Sequence, residues 1–207
     1  MLLGALTILI MLIVGFAYWR EGLLTAFCMC VNVLLAGLIA FDFWEPLADL
    51  IDPMLAGTIL SGYEDATCLF LLFVPSLLFL RWATNQLASR IPEFHPMLQQ
   101  VGGAIVGLAT GYLLAGFLLC WMQTLPWHEC FMNFNPDYDP NEASATVRSV
   151  LPPDRVWLAL MHRLSSDRLD LGDDPFDRRG NFELRYARYR RYGDSRDVLL
   201  HGGECSP

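Results

Sequence analysis

The chain has 207 residues, of which 54% are hydrophobic and 17% are charged, and its formal net charge is −8. A typical soluble domain is about 25% charged, so this composition favours a membrane protein. The chain contains no lysine, which excludes chemistry that needs a lysine ammonium, such as a Walker A phosphate loop or a Schiff base. Its acidic net charge argues against nucleic acid as a partner.

Four apolar runs predict four transmembrane helices. A helix needs about 20 apolar residues to cross the roughly 30 Å of hydrocarbon in a bilayer. We expect spans at about residues 1–19, 22–41, 66–82 and 100–122, and thus a four-helix transmembrane domain at residues 1–125. We do not expect the first run to be a cleaved signal peptide, because no basic residue precedes it.

Arginines in the short loops predict the orientation of this domain. Arg20 lies between the first two spans, and Arg81 and Arg90 lie between the third and the fourth. The loop 42–65 contains six acids and no arginine. Because loops that carry arginine stay in the cytoplasm, we expect the N-terminus and the C-terminal tail to be extracytoplasmic. Within the loop 42–65, an interfacial or re-entrant segment and a short helix lying on the bundle are both open.

Residues 126–207 form a polar C-terminal tail, for which we expect little regular structure. Within it, a proline pair followed by an acid is typical of a helix start, and the apolar residues that follow share one helical face: Val156, Trp157, Leu160, Met161 and Leu164. We therefore expect a short amphipathic helix at 153–165, resting either on the membrane or on a small core of the tail. We interpret the arginine- and tyrosine-rich segment 182–192 as a charged face of a folded subdomain, with binding of anionic lipid headgroups as the alternative.

The fourth span has the sharpest local pattern, because small residues recur there at every fourth position: Gly103, Gly107, Gly111 and Ala115. On a helix these residues share one face, which lets a neighbouring helix approach closely and gain van der Waals contact. We interpret the pattern as a helix-packing face, which serves either packing within one chain or dimerisation. Asn32 is a strongly polar residue deep in the second span. We expect it to form a hydrogen bond across helices, with the lining of a pore as the alternative.

The sequence shows no catalytic constellation, metal site or cofactor motif. It has no G-x-S-x-G, H-E-x-x-H or glycine-rich phosphate loop. The adjacent residues His128, Glu129 and Cys130 cannot all face one metal ion in regular structure. Most of the six cysteines lie in apolar runs as small hydrophobic residues, whereas Cys130 and Cys205 lie in the tail and can pair only in an oxidising compartment. We expect neither enzymatic activity nor a bound cofactor.

The order of these features resembles the colicin V production protein family (CvpA-like), small bacterial inner-membrane proteins with four spans. The resemblance covers about residues 1–125 and rests on two glycine-containing motifs. The turn after the first span reads WREGLL, in which Arg20 and Gly22 match the family's turn. The fourth span reads GAIVGLATG at residues 103–111, with Thr110 at the position where the family tends to have arginine.

The resemblance implies a non-enzymatic accessory or scaffold in the bacterial inner membrane, acting in export of a peptide toxin or in envelope maintenance. Its partners are then the lipid bilayer and either a second copy of this chain or another envelope protein. An alternative is an oligomeric channel or transporter built on the glycine face of the fourth span. Against a carrier, the four apolar runs contain no Asp, Glu, His, Lys or Arg, and ion-coupled carriers usually hold such residues at depth.

Overall fold

The computed structural model describes residues 2–55, 63–88, 96–125 and 152–168. Within these residues the chain forms five helices: α1 (Leu2–Glu21), α2 (Leu23–Leu55), α3 (Glu64–Ala88), α4 (Pro96–Thr124) and α5 (Pro153–Arg168). No strand occurs in this part of the chain, which confirms the predicted all-α fold. The expectations for segment 182–192, for Arg90 and for a pairing of Cys130 with Cys205 lie outside the described residues.

Four of the helices in the described part of the chain are long and apolar enough to cross a membrane. Their apolar stretches are Gly4–Glu21, Leu23–Trp44, Asp65–Gln86 and Pro96–Thr124, so each of the four expected spans corresponds to one of the helices α1 to α4. Many of their large hydrophobic side chains are exposed on the outer surface of the bundle. Lipid tails solvate such a surface, and only helices with internally satisfied backbones can cross the hydrocarbon.

Helix α2 continues well beyond the apolar run at which the sequence indicated a loop. It passes Asp42 and Pro46 and ends at Leu55. Its 33 residues have a length of about 50 Å, more than the hydrocarbon thickness of about 30 Å. A charged residue ends a hydrophobic run without breaking the backbone hydrogen bonds of a helix. The first part of the expected inter-span loop 42–65 is therefore helical and continues α2 without a break, instead of forming a separate short helix.

The four long helices pack side by side in the order α1, α4, α2, α3. Helix α1 packs mainly against α4, α3 packs mainly against α2, and α2 and α4 contact each other. The pairs α1–α4 and α2–α3 are both antiparallel. We call the end of the bundle where α1 ends and α2 begins the Gly22 end, and the end where α4 terminates the Thr124 end.

Helices α1 and α4 touch along the small residues of α4. A methyl group added to Gly103 would lie 2.5 Å from the backbone oxygen of Tyr18, and one on Gly111 would lie 2.8 Å from the Cα of Met11. A methyl group on Gly107 would lie 2.9 Å from the Cβ of Tyr18. These distances leave no space for a side chain at the contact. The glycine face therefore packs within the chain, which decides between the two interpretations left open by the sequence.

The rest of this face is also enclosed. Ala115 is buried, and so is Thr110, whose hydroxyl donates a hydrogen bond of 2.8 Å to the backbone oxygen of Val106. Because α1 covers the face, a second copy of the chain would have to displace α1 to dock there. The structure therefore does not support the oligomeric channel or transporter built on the glycine face.

Gly22 alone forms the connection between α1 and α2. Its φ of +98° lies in the left-handed region that side chains disfavour and glycine adopts readily. Its N–H donates a 2.9 Å hydrogen bond to the oxygen of Tyr18, and its own oxygen accepts one of 3.1 Å from Ala26. One residue thus ends one helix and begins the next, which aligns the end of α1 with the start of α2.

Helix α5 packs on α2 and α4 toward the Thr124 end. Trp157 and Met161 on its apolar face are completely buried. A methyl group added to Gly37 of α2 would lie 2.5 Å from the Trp157 ring, and one on Gly116 of α4 would lie 2.9 Å from its Cβ. Glycines from two helices thus form the space that the indole fills. The apolar face rests on the bundle, so both supports expected for it, the membrane and a core of the tail, were wrong.

Hydrogen bonds hold both ends of α5 against the bundle. Near its start, Gln123 Nε2 of α4 donates a 2.8 Å hydrogen bond to Asp154 Oδ2. Near its end, the hydroxyl of Ser165 donates a 3.1 Å hydrogen bond to Asp42 Oδ1 of α2. The helical bundle therefore includes part of the region 126–207, which the sequence indicated as tail.

Aromatic rings from four helices meet in the core beside α5. The ring of Phe117 in α4 stacks on that of Phe73 in α3, with centroids 3.6 Å apart. It also meets Phe41 of α2 edge-on at 6.3 Å and Trp157 of α5 edge-on at 5.9 Å. This cluster joins the α2–α3 pair to α4 and α5.

We expect Gly103→Ala to destabilise the bundle. The new methyl group would meet two backbone atoms, the oxygen of Tyr18 at 2.5 Å and the carbonyl carbon of Gly22 at 2.9 Å, and neither atom can rotate away. Overpacking a fitted contact costs about 1–3 kcal/mol, measurable as a loss in the free energy of unfolding in mixed detergent micelles.

Gly4→Ala is the matched control, because a methyl group there meets no atom of the described residues within 4 Å. The higher helix propensity of alanine should leave this variant as stable as the unsubstituted chain or slightly more stable. Equal stability of the two variants would contradict the close contact between α1 and α4.

Candidate functional site

A polar cavity of about 160 Å³ lies at the Gly22 end of the bundle. The turn between α1 and α2, the last turns of α3 and the start of α4 enclose it. The polar side chains that line it include those of Glu21, Thr25, Asn32, Arg81, Asn85 and Gln99. A cavity with several convergent polar groups is a candidate binding site, the more so where its walls are membrane helices.

The antiparallel packing of the helices brings these distant parts of the sequence together. The packing of α1 on α4 places Gln99 beside Gly22, where a methyl group on the glycine would lie 3.8 Å from the Gln99 side chain. The packing of α3 on α2 places Thr84, near the end of α3, beside Asn32 of α2. The cavity thus forms where the two antiparallel pairs meet at one end.

Among the described residues that line this cavity, Glu21 and Arg81 carry opposite charges. Arg81 Nη2 lies 3.9 Å from Glu21 Oε1, and the two side chains are 47% and 42% exposed. A charge-assisted hydrogen bond is about 2.7–2.9 Å long, so the two groups attract each other without sharing a hydrogen bond. Within the described residues, no hydrogen bond to another group holds either the carboxylate or the guanidinium. An exposed pair of this kind contributes about 0–1 kcal/mol to stability, so both charges remain available to a ligand.

Asn32 forms the inner end of the cavity. It is 2% exposed and lies about 13 Å along α2 from the start of that helix. Its Nδ2 donates a 3.0 Å hydrogen bond to the hydroxyl of Thr84, which donates one of 2.9 Å to the backbone oxygen of Leu80. Asn32 Oδ1 accepts no hydrogen bond from the described part of the chain, so an acceptor remains at the inner end of the cavity.

The structure distributes the residues singled out from the sequence over three places. Gly22 and Asn32 line the cavity. Arg20 lies outside it, on a separate shallow groove beside Trp19 and Gln100. The remaining set lies between α1 and α4 and serves packing: Gly103, Gly107, Gly111 and Ala115.

Sequence reasoning missed Glu21, Arg81 and Gln99 as neighbours in one site. It placed the turn with Arg20 and the loop after Arg81 on the same side of the membrane. This placement was the signal that the sequence offered, because polar residues at the ends of different spans can contact one another only on the same side of the membrane. Their distances, however, depend on the helix packing order, which no sequence pattern gives.

The cavity contains groups suited to holding a small polar molecule. Amides and hydroxyls donate and accept hydrogen bonds, and the two charges add electrostatic attraction. Among the described residues, no group of three His, Cys, Asp or Glu side chains is placed to hold a metal ion. The arrangement supports recognition of a ligand by hydrogen bonds and charge.

We expect the Asn32–Thr84 hydrogen bond to make a small but measurable contribution to stability. In a double-mutant cycle with Asn32→Leu and Thr84→Val, we expect a coupling energy of about 0.6 kcal/mol, the average for such bonds in membranes. Folding of each variant in detergent micelles gives the four free energies. Strictly additive effects would show that the 3.0 Å contact does not couple α2 to α3.

The family comparison agrees with this geometry. The family model described as Colicin V production protein matches residues 3–133, a range that contains all but the first residue of α1, the turn at Gly22, and α2 to α4. A search of curated proteins and a search of solved structures each gave no match. The matched range covers more than half of the chain and ends before α5. The chain is a multi-pass membrane protein, and it belongs to the colicin V production protein family.

Proposed function

We propose that this chain is a non-enzymatic accessory or scaffold of the bacterial inner membrane that acts in peptide export or in envelope maintenance. The observation that carries the proposal is the polar cavity at the Gly22 end, enclosed by helices of the family-matched range. Its amides, hydroxyls and loose charge pair suit binding, and the backbone contact between α1 and α4 holds its walls in place.

The Gly22 end is proposed to face the cytoplasm. Arg20 and Arg81 lie at this end, the latter beside Glu21. Acidic residues lie at the Thr124 end, among them Asp42 and Asp154. Because arginine is retained on the cytoplasmic side, this distribution supports an extracytoplasmic N-terminus and an extracytoplasmic tail. The cavity then opens to the cytoplasm, and α5 lies toward the outer face of the membrane.

The proposed partners are the lipid bilayer and an envelope protein, or a second copy of the chain that binds elsewhere than at the glycine face. That face is covered by α1. The outer surface of α1 remains apolar and exposed, for example at Leu12 and Phe16. A membrane partner therefore meets this surface or the outer surface of another helix.

Fusion of reporters after Pro207 tests the orientation. We expect activity from an enzyme that matures only outside the cytoplasm, and no signal from a protein that fluoresces only inside. Fusion of the same reporters after Ala88, at the end of α3, is the internal control and should give the opposite pattern. A fluorescent signal from the fusion after Pro207 would refute the proposed orientation.

A deletion strain tests the function. We expect loss of the chain to reduce secretion of a peptide toxin or to raise the permeability of the envelope to a large antibiotic. The unsubstituted chain should restore the phenotype. Unchanged secretion and unchanged permeability in the deletion strain would refute the role, and saturable turnover of a substrate by the purified chain would refute its non-enzymatic character.

A further inference from the structure

We propose that the cavity at the Gly22 end binds a compact zwitterion, with its anionic group on Arg81 and its ammonium group on Glu21. This inference rests on the proposed function, because it names a ligand for a site assigned to binding. The chemical class is a primary ammonium joined through a few atoms to a phosphate or a carboxylate. Both a phosphoethanolamine lipid headgroup and a free amino acid have this chemistry.

The distance between the two charges is the first argument. At 3.9 Å, Arg81 and Glu21 are too far apart for a direct hydrogen bond, and both line the same cavity. A ligand that carries both charges replaces this loose pair with two charge-assisted hydrogen bonds, which are the strong ones. The pair thus offers one positive and one negative group close together, which matches the two opposite charges of a zwitterion.

The second argument is that the charges of the described residues lining the cavity sum to zero. An anion bound at Arg81 without a counter-charge would lie close to the Glu21 carboxylate and be repelled by it. A cation bound at Glu21 would be repelled by Arg81 in the same way. A zwitterion adds no net charge and gives each of the two residues an opposite charge to pair with. The site therefore favours a zwitterion over a simple anion or a simple cation.

The inner end of the cavity supplies the third argument. An ammonium group has three N–H donors. One carboxylate oxygen of Glu21 accepts only part of them, so the ligand needs further acceptors. Asn32 Oδ1 is an acceptor without a donor among the described residues, on a side chain that is 2% exposed. The amides of Asn85 and Gln99 also line the cavity, and they can donate to the anionic group. The site therefore contains acceptors and donors beyond the charge pair.

The cavity lies where a lipid headgroup can reach it, so a lipid is one source of the ligand. Trp82 beside Arg81 is 60% exposed, and Trp19 near Glu21 is 53% exposed. Exposed tryptophans concentrate at the level of lipid headgroups. The cavity lies at the same end of the bundle, so a headgroup can reach it from the bilayer and a free amino acid can reach it from the aqueous phase.

Thermal unfolding of the purified full chain in a neutral detergent tests the proposal. Tryptophan fluorescence gives Tm as the micelles are titrated with short-chain phosphatidylethanolamine, with phosphatidylglycerol, or with free alanine or phosphoethanolamine in the buffer. A ligand that binds only the folded state raises Tm with its concentration. We expect a saturable rise with phosphatidylethanolamine or with a free zwitterion, and none with phosphatidylglycerol.

Two variants remove one charge each, and a third is the matched control. Glu21→Gln and Arg81→Gln should each weaken apparent binding at least about tenfold, the effect of losing one hydrogen bond to a charged group. Arg20→Gln removes the same charge at the same end but lies outside this cavity, so it should keep the full rise in Tm. The Tm of each variant without ligand shows whether it folds.

The outcomes separate the two sources and the two proposals. A rise with phosphatidylethanolamine alone identifies a lipid headgroup, and a rise with free alanine or phosphoethanolamine identifies a soluble zwitterion. An equal rise in Tm with phosphatidylglycerol, kept in Glu21→Gln, would overturn the zwitterion proposal in favour of a simple anion. No rise in Tm with any of the compounds would also overturn it. Failure of the proposed function appears instead in the deletion strain, whatever the binding result.

Discussion

The backbone contact between α1 and α4 is the constraint on which the other features of the bundle depend. Water does not drive helices together inside a bilayer, so association relies on van der Waals contact and hydrogen bonds. At Gly103 and Gly111 the backbones approach so closely that a single methyl group has no place. This contact fixes α1 antiparallel to α4, and it thereby places the turn at Gly22 beside Gln99. Without it, the cavity would lack one wall.

The same use of glycine recurs at the Thr124 end with a different partner. Gly37 and Gly116 make space for one indole ring, and the ring belongs to a helix outside the family-matched range. Phe117 then joins that indole to two other aromatic rings, those of Phe41 and Phe73. Small residues on two helices thus permit a large residue on a third. In this way the packing density of the bundle is maintained although one helix arrives from a distant part of the chain.

The two ends of the bundle differ in how their polar groups are used. At the Thr124 end, Asp154 and Asp42 accept hydrogen bonds from Gln123 and Ser165, so these polar groups hold α5 in place. At the Gly22 end, the charges of Glu21 and Arg81 lie 3.9 Å apart around a cavity. Buried polar groups with partners stabilise one arrangement, whereas polar groups around a cavity are available to a ligand. This difference makes the Gly22 end the candidate binding end.

The sequence by itself determined the helical class, the four spans and the small-residue face at Gly103, because length, hydropathy and a four-residue period are local properties. It also determined that Asn32 is a polar residue inside an apolar run. Only the tertiary structure decided that α1 covers the glycine face, that α5 lies in the bundle, and that Glu21 and Arg81 share a cavity. Such facts depend on the helix packing order and on distances of a few ångströms between residues far apart in the chain. The end of α2 could not be read from the apolar run that ends at Asp42. Hydrophobicity indicates where a segment leaves the hydrocarbon, whereas a helix ends where its backbone hydrogen bonds end.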